Sequence, residues 1–261
     1  MMRVGLSSAA FYGVMETEKA AARLLTLPVD VCEIFLETHS EYRAPFGRKV
    51  RRALGTLPCK SIHTKGTQFE PDLFGASPRQ RKDAFRILEG ALDCGAALGA
   101  SCYVFHGTPD YRGGLTPLKI PRLAQTLQEM CRMSAERGIS LCWENVFWCA
   151  LKTPEDAKVL LEACPEIYFV LDIKQAILAG QDPLAFPPVM GSRLKHIHVL
   201  DRDKDGRLCL PGQGQFDFYA LYQALLNIGY EGEIILEPYP AQAGDEEALR
   251  KSLDYLRSIF Q

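Results

Sequence analysis

With 261 residues, 30 basic and 32 acidic side chains and a formal net charge of −2, the chain can bury one large core, and its even charge argues against a nucleic-acid partner. Its hydrophobic residues fall in short runs, none near the ~20 residues that cross a bilayer, so no membrane partner is expected. The opening Met1-Met2-Arg3-Val4-Gly5-Leu6 enters a strand-like run without a signal-peptide h-region, which points to a cytoplasmic protein.

Apolar, β-branched runs predict strands at residues 3–7, 29–36, 60–63, 102–106, 139–144, 168–172, 194–199 and 233–237. Between them, amphipathic stretches predict helices at 78–98, 121–137, 154–163, 218–228 and 245–260, several opening at Pro and stopping at Gly. The basic run Arg48-Lys49-Val50-Arg51-Arg52 reads as the solvated face of a further helix. Continuous apolar runs, rather than strict alternation, mark strands buried on both faces, as in parallel sheets built from βα units. Eight such units close a barrel, so the expected fold is an α/β, single-domain (β/α)8 TIM barrel over residues 1–261. The alternative, an open doubly wound sheet, calls for a Gly-rich turn after the first strand; Ser7-Ser8-Ala9-Ala10-Phe11-Tyr12-Gly13 contains none. The nine cysteines lack CxxC spacing and several lie within apolar strands, so they read as small, reduced core residues.

A (β/α)8 barrel carries its active site at the C-terminal ends of its strands. Here Glu37 follows the second strand, His63 ends the third, His106 the fourth, Glu144-Asn145 the fifth, Asp172 the sixth, His198 the seventh and Glu237 the eighth. Singly, each is a common cap or core residue. Gathered at one mouth, they would repel one another and lose hydration unless a cation or substrate compensated them, and a divalent metal is the economical compensator.

The strand ends Trp143-Glu144-Asn145, Leu171-Asp172-Ile173, His196-Ile197-His198 and Ile235-Leu236-Glu237-Pro238, with the loop Leu210-Pro211-Gly212-Gln213-Gly214-Gln215-Phe216-Asp217-Phe218, resemble the xylose-isomerase-like barrels. Within these, the chain is similar to the sugar phosphate isomerase/epimerase and ketose 3-epimerase group. The resemblance implies metal ligation by Glu144, Asp172, His198 and Glu237, one divalent ion per chain. This oxygen-rich set favours Mn²⁺ or Mg²⁺, with Co²⁺, Fe²⁺ and Zn²⁺ as alternatives. It also implies catalytic roles for Glu144 and Glu237: one takes a proton next to a carbonyl and the other returns a proton to the opposite face of an enediolate. The implied partner is a small sugar or sugar phosphate.

Further candidates for substrate contact are His63, His106, Lys174, Gln175 and Glu37. The sixth strand departs from many relatives: Asp172-Ile173-Lys174-Gln175 carries Gln where they have His, and adds a lysine. Gln can bond a hydroxyl but cannot carry charge. Arg202 and Lys204 lie in the charged turn where the epimerases often have an Arg. His196, pointing to the same side of its strand as His198 but deeper, reads as structural. Phe11, Trp143, Phe147 and Trp148 are candidate apolar walls, and Asp217 is a candidate helix cap. Rival functions are a dehydratase or keto-acid isomerase using the same groups, a non-catalytic sugar-binding barrel, and an apurinic-site nuclease similar to endonuclease IV. Gln175 and Gly206-Arg207-Leu208-Cys209 lack the further metal ligands of that nuclease. A sugar-binding barrel would be expected to lose one of the two glutamates.

Overall fold

The computed structural model of the protein describes residues 1–109, 115–116 and 119–261. Its eight long strands are β1 (Arg3–Ser7), β2 (Val31–Leu36), β3 (Cys59–Thr64), β4 (Cys102–Phe105), β5 (Ser140–Glu144), β6 (Tyr168–Asp172), β7 (Leu194–Val199) and β8 (Glu233–Leu236). Each pairs in parallel with its chain neighbours, and β8 closes on β1, giving the closed (β/α)8 barrel that the periodicity predicts. All six residues of β2 are buried, the signature of a strand with no solvent face.

Alternation divides each strand's side chains between two cores. Ile34, Leu36, Tyr103, Phe105, Trp143, Phe169 and Leu171 belong to the large cluster packed with the surrounding helices. The opposite set faces the lumen, where Cys102, Val104, Cys142 and Val170 form a separate small cluster. Continuing the same parity along paired strands brings Glu33, Ser61, His63, His196 and His198 into the lumen as well. The core reading of the cysteines holds for Cys32, Cys59, Cys94, Cys102, Cys142, Cys149 and Cys164, which are buried; Cys131 and Cys209 are half-buried, and all nine are free thiols.

The boundaries move for identifiable reasons. The helix expected at 121–137 ends at Ala135, where the chain tightens into a turn closed by Gly138 with φ of 70°. The charged run after β7 is an exposed turn at its centre, residues 204–207, and its flanks form a two-residue antiparallel ladder pairing Asp201 with Cys209 and Arg202 with Leu208. Asp201 is buried and accepts the N–H groups of Arg202 (2.7 Å), Phe216 (3.0 Å) and Gly214 (3.1 Å), which pins the 211–216 loop. Asp217 caps the helix Phe218–Asn227 as expected, accepting from Ala220 N at 2.8 Å. Among the described residues no helix is long and apolar enough to cross a membrane.

Asp201→Ala would leave three N–H groups without their charged acceptor, and should lower stability by about 2–3 kcal/mol in urea unfolding. An unchanged midpoint would show that the loop does not depend on this carboxylate.

Candidate active site

The last lumen-facing positions of β5 to β8 converge at the C-terminal mouth. Glu144 ends β5, Asp172 ends β6 and sits in register with His198 of β7, and Glu237 follows β8 with its N–H still bonded to Val199 O at 3.1 Å. One donor atom from each of these four side chains lies within 4.8 Å of the other three, and all four residues are buried. Asn145 ties the two central strand ends together: its side chain accepts Asp172 N–H at 2.8 Å and donates to Asp172 O at 2.9 Å.

Hydrogen bonds orient each member of the cluster. Nε2 of His198 meets Glu33 Oε2 at 3.0 Å, while Nδ1 faces Glu144 Oε1 at 2.9 Å and Glu237 Oε2 at 3.5 Å. A carboxylate behind one ring nitrogen is the arrangement that leaves the other free to ligate. Glu144 Oε2 is met by His63 Nε2 at 3.2 Å and His106 Nε2 at 3.0 Å. Asp172 uses Oδ1 to cap the helix Ile173–Leu178 through Gln175 N at 2.9 Å, while its buried Oδ2 accepts no hydrogen bond. Lys174, itself buried, places Nζ 3.1 Å from Asp172 Oδ2 and 3.3 Å from Glu237 Oε2.

The electrostatics follow from burial set against partners. Burial alone would raise Glu144, but the charge of His198 and hydrogen bonds from His106, His198 and His63 hold it well below the usual carboxylate range. Glu33 is likewise held low against burial by His198 and His196. His63 has Nδ1 against Thr64 O at 2.9 Å and Nε2 against Glu144, so both ring nitrogens face acceptors and the imidazolium is favoured. Its pKa rises to about 9, burial opposing and Glu144 prevailing. Burial pushes Asp172 up to about 6; Glu144 and Glu237 add to this, and Lys174 opposes it.

This donor set suits a divalent cation. Three carboxylates and one imidazole converge, and the buried Asp172 Oδ2, which accepts no hydrogen bond and faces only the Lys174 ammonium among the described residues, has lone pairs to give. His63, His106 and Glu144 form a second close group sharing Glu144, and Glu33, His196 and His198 a third.

Of the other sequence candidates, His63 and His106 lie against the cluster and Lys174 lies within it. Gln175 is turned toward the loop after β5, its Oε1 3.5 Å from Phe147 N. Glu37 is not brought to the cluster: it accepts Gly13 N–H at 3.3 Å on the loop after β1. His196 lies deeper in the lumen beside Glu33, as its position implied. Lys204 is exposed at the tip of the small ladder.

The apolar wall differs from expectation. Trp143 is fully buried behind β5, donating its indole N–H to His106 O at 2.9 Å, and Phe11 packs on the core. Tyr12, Phe35 and Tyr239 form a ring cluster instead, with Phe35 and His63 centroids 5.1 Å apart. Trp148 stands edge-on to His106 at 6.0 Å, and Phe147 is exposed.

Two buried acids that bear on the mouth escaped the sequence reading, Glu33 and Glu70. Glu33 interrupts the apolar run Val31-Cys32-Glu33-Ile34, a mid-strand charge that was itself the available signal. Ser61 Oγ donates to it at 2.7 Å. Glu70 opens the short helix Glu70–Leu73 and accepts His106 N–H at 2.8 Å and Gly107 N–H at 3.2 Å, which fixes where His106 stands. Nothing in its local sequence marks it.

Comparison with known proteins agrees with this architecture. The chain is 26% identical over 157 residues to an inosose dehydratase from Clostridium perfringens, covering 52% of this chain and 53% of the relative, so the match spans about half that relative's length. Its fold is similar to that of D-psicose 3-epimerase with D-tagatose from Clostridium cellulolyticum H10 (TM-score 0.82, 17% identity, 100% of both chains). It is similar also to the IOLI protein with a bound zinc atom (TM-score 0.78, 16% identity, 100% of both chains). The model of the xylose isomerase-like TIM barrel matches residues 23–259, and the chain belongs to that family.

Proposed function

We propose that the protein is a metal-dependent sugar or sugar-phosphate isomerase/epimerase that removes a proton next to a carbonyl and passes through an enediolate. The observation that carries this reading is the pair Glu144 and Glu237: two buried carboxylates presented by different strands within one possible ligand set. Glu144, Asp172, His198 and Glu237 would hold one divalent ion, with Mn²⁺ or Mg²⁺ favoured by the oxygen-rich donors and zinc compatible with a zinc-bearing structural neighbour. When bound, the ion would supply positive charge to the carbonyl and a neighbouring hydroxyl oxygen of the sugar.

The remaining chemistry falls to side chains. Glu144, kept ionised by the three imidazoles around it, is in the charged form that a general base requires. As the C–H bond breaks, its electron pair becomes the C=C bond of the enediolate and the carbonyl π pair moves onto oxygen. Glu237, presented from β8, takes up a proton from solvent and delivers it to the opposite face, while Glu144 releases the abstracted proton to solvent; return at the same carbon inverts it, and return at the neighbouring carbon interconverts ketose and aldose. His106, whose Nδ1 has no hydrogen-bond partner among the described residues, would donate to a substrate oxygen, His63 would hold Glu144 in place, and Tyr12, Phe35 and Tyr239 would cover an apolar face of the sugar. The likeness to an inosose dehydratase favours a second reading, in which the same proton removal is followed by loss of hydroxide from the adjacent carbon. Product mass separates the two, since only the second loses water.

Glu144→Gln and Glu237→Gln, made separately, should each cut solvent-deuterium exchange into a ketose substrate by at least about 10³-fold, with the far-UV circular dichroism of the folded barrel retained. Full exchange in either variant would contradict the assignment. The metal reading has its own pH test. His198 lies well above the ordinary histidine range, Glu237, Glu33 and Glu144 prevailing over burial, and Asp172 stands at about 6. Both must lose a proton to ligate, so Mn²⁺ affinity should fall as pH drops from 8 to 5, by about tenfold per unit for each proton displaced. Calorimetric titration in buffers of different ionisation enthalpy would reveal the released protons. Affinity independent of pH would exclude these ligands.

A further inference from the structure

Lys174 stands apart from the rest of the mouth. Among the described residues it is the one lysine within the buried cluster, only 6% exposed, and Nζ lies 3.1 Å from Asp172 Oδ2 and 3.3 Å from Glu237 Oε2. Its helix begins immediately at the strand end because Asp172 is itself the cap, so the first turn carries the ammonium back over the carboxylates. The Tyr239 ring, 5.9 Å from Nζ, closes the other side. A buried ammonium is costly unless paired, and both of its pairing partners belong to the ligand set deduced above.

We propose that the ammonium of Lys174 is a built-in cation of this centre, sharing Asp172 and Glu237 with the divalent ion, so that it weakens the hold on the ion and stabilises the fold when the ion is absent. This inference rests on the metal reading of the site. The charge inventory supports it. Glu33, Glu144, Asp172 and Glu237 are four acids gathered at and below the mouth, and without an ion Lys174 is the permanent cation that faces two of them. With an ion present, the same ammonium adjoins a second positive centre across shared oxygens and repels it. The role of the metal's counter-charge is thereby divided between an exchangeable ion and a side chain. Removing the side chain should shift that balance in a defined direction.

The test is Mn²⁺ titration of chelator-stripped wild type, Lys174→Met and Lys174→Gln by calorimetry, with melting temperatures of the stripped and loaded forms. The expected result is Mn²⁺ affinity at least tenfold tighter in both variants, and a wider gap in melting temperature between loaded and stripped protein because the stripped form is destabilised. Equal or weaker binding, with loaded variants melting like loaded wild type, would overturn the role of Lys174 while leaving the metal site standing. Absence of Mn²⁺ binding in wild type and variants alike would overturn both. Should the variants fail to fold, the unaltered chain decides: with ¹⁵N-labelled lysine, the Lys174 Nζ resonance should move on adding Mg²⁺, and an unmoved resonance would overturn the proposal.

Discussion

Four carboxylates buried at one end of a barrel lumen are the constraint around which the rest of this molecule is organised. Glu33, Glu144, Asp172 and Glu237 each lose most of their hydration, and a desolvated carboxylate persists in ionised form only when positive charge or N–H donors face it. The chain answers with His63, His106, His196, His198 and Lys174, each within 3.5 Å of at least one of them. Closure of the sheet is what makes this possible. Parallel pairing in register aligns the ends of β5 to β8, so one residue from each strand reaches the same few ångströms.

The lumen is layered beneath that mouth. Ser61, Glu33 and His196 form a hydrogen-bonded tier below His198, and the small side chains of Cys102, Val104, Cys142 and Val170 fill space beside it. At the opposite, N-terminal end, Glu233 pairs with Arg3 and Lys60, a separate ionic cluster that belongs with barrel stability rather than with the mouth. Glu70 lies outside the lumen yet governs it, because its two backbone partners are His106 and Gly107. Gly107 adopts φ of 77°, and a Cβ there would sit 2.3 Å from Trp143 Cζ2, so the chain can turn away after His106 only because this residue lacks a side chain.

How much of this the sequence disclosed depends on whether local periodicity controls the feature. The strands, their count and the strand-end residues Glu144, Asp172, His198 and Glu237 were legible, since apolar runs end where the barrel ends. Glu37 obeyed the same rule and yet turned away. Its backbone N–H is taken by Glu41 Oε2 at 2.6 Å, which bends the chain out of β2, whereas Glu237 keeps its bond to β7 and stays in register one residue further. His106 is the intermediate case: it lies past the end of β4, but Glu70 holds its N–H. Contacts between residues distant in the chain decided the outcome for Glu237 and His106, whereas Glu37 was turned by a local one, the capping box formed by Thr38 and Glu41. The wall followed the same logic, for the turn after β1 exposes Tyr12 and not Phe11 to Phe35 and Tyr239.

The central claim is that the ends of β5 to β8 form one metal centre with two carboxylates poised beside it. Anomalous scattering from crystals grown with Mn²⁺ tests it most directly. The account predicts a single strong peak bounded by Glu144, Asp172, His198 and Glu237, at oxygen and nitrogen distances of about 2.0–2.3 Å. A barrel with no peak there, or with its peak held by His63, His106 and Glu144 alone, would contradict it.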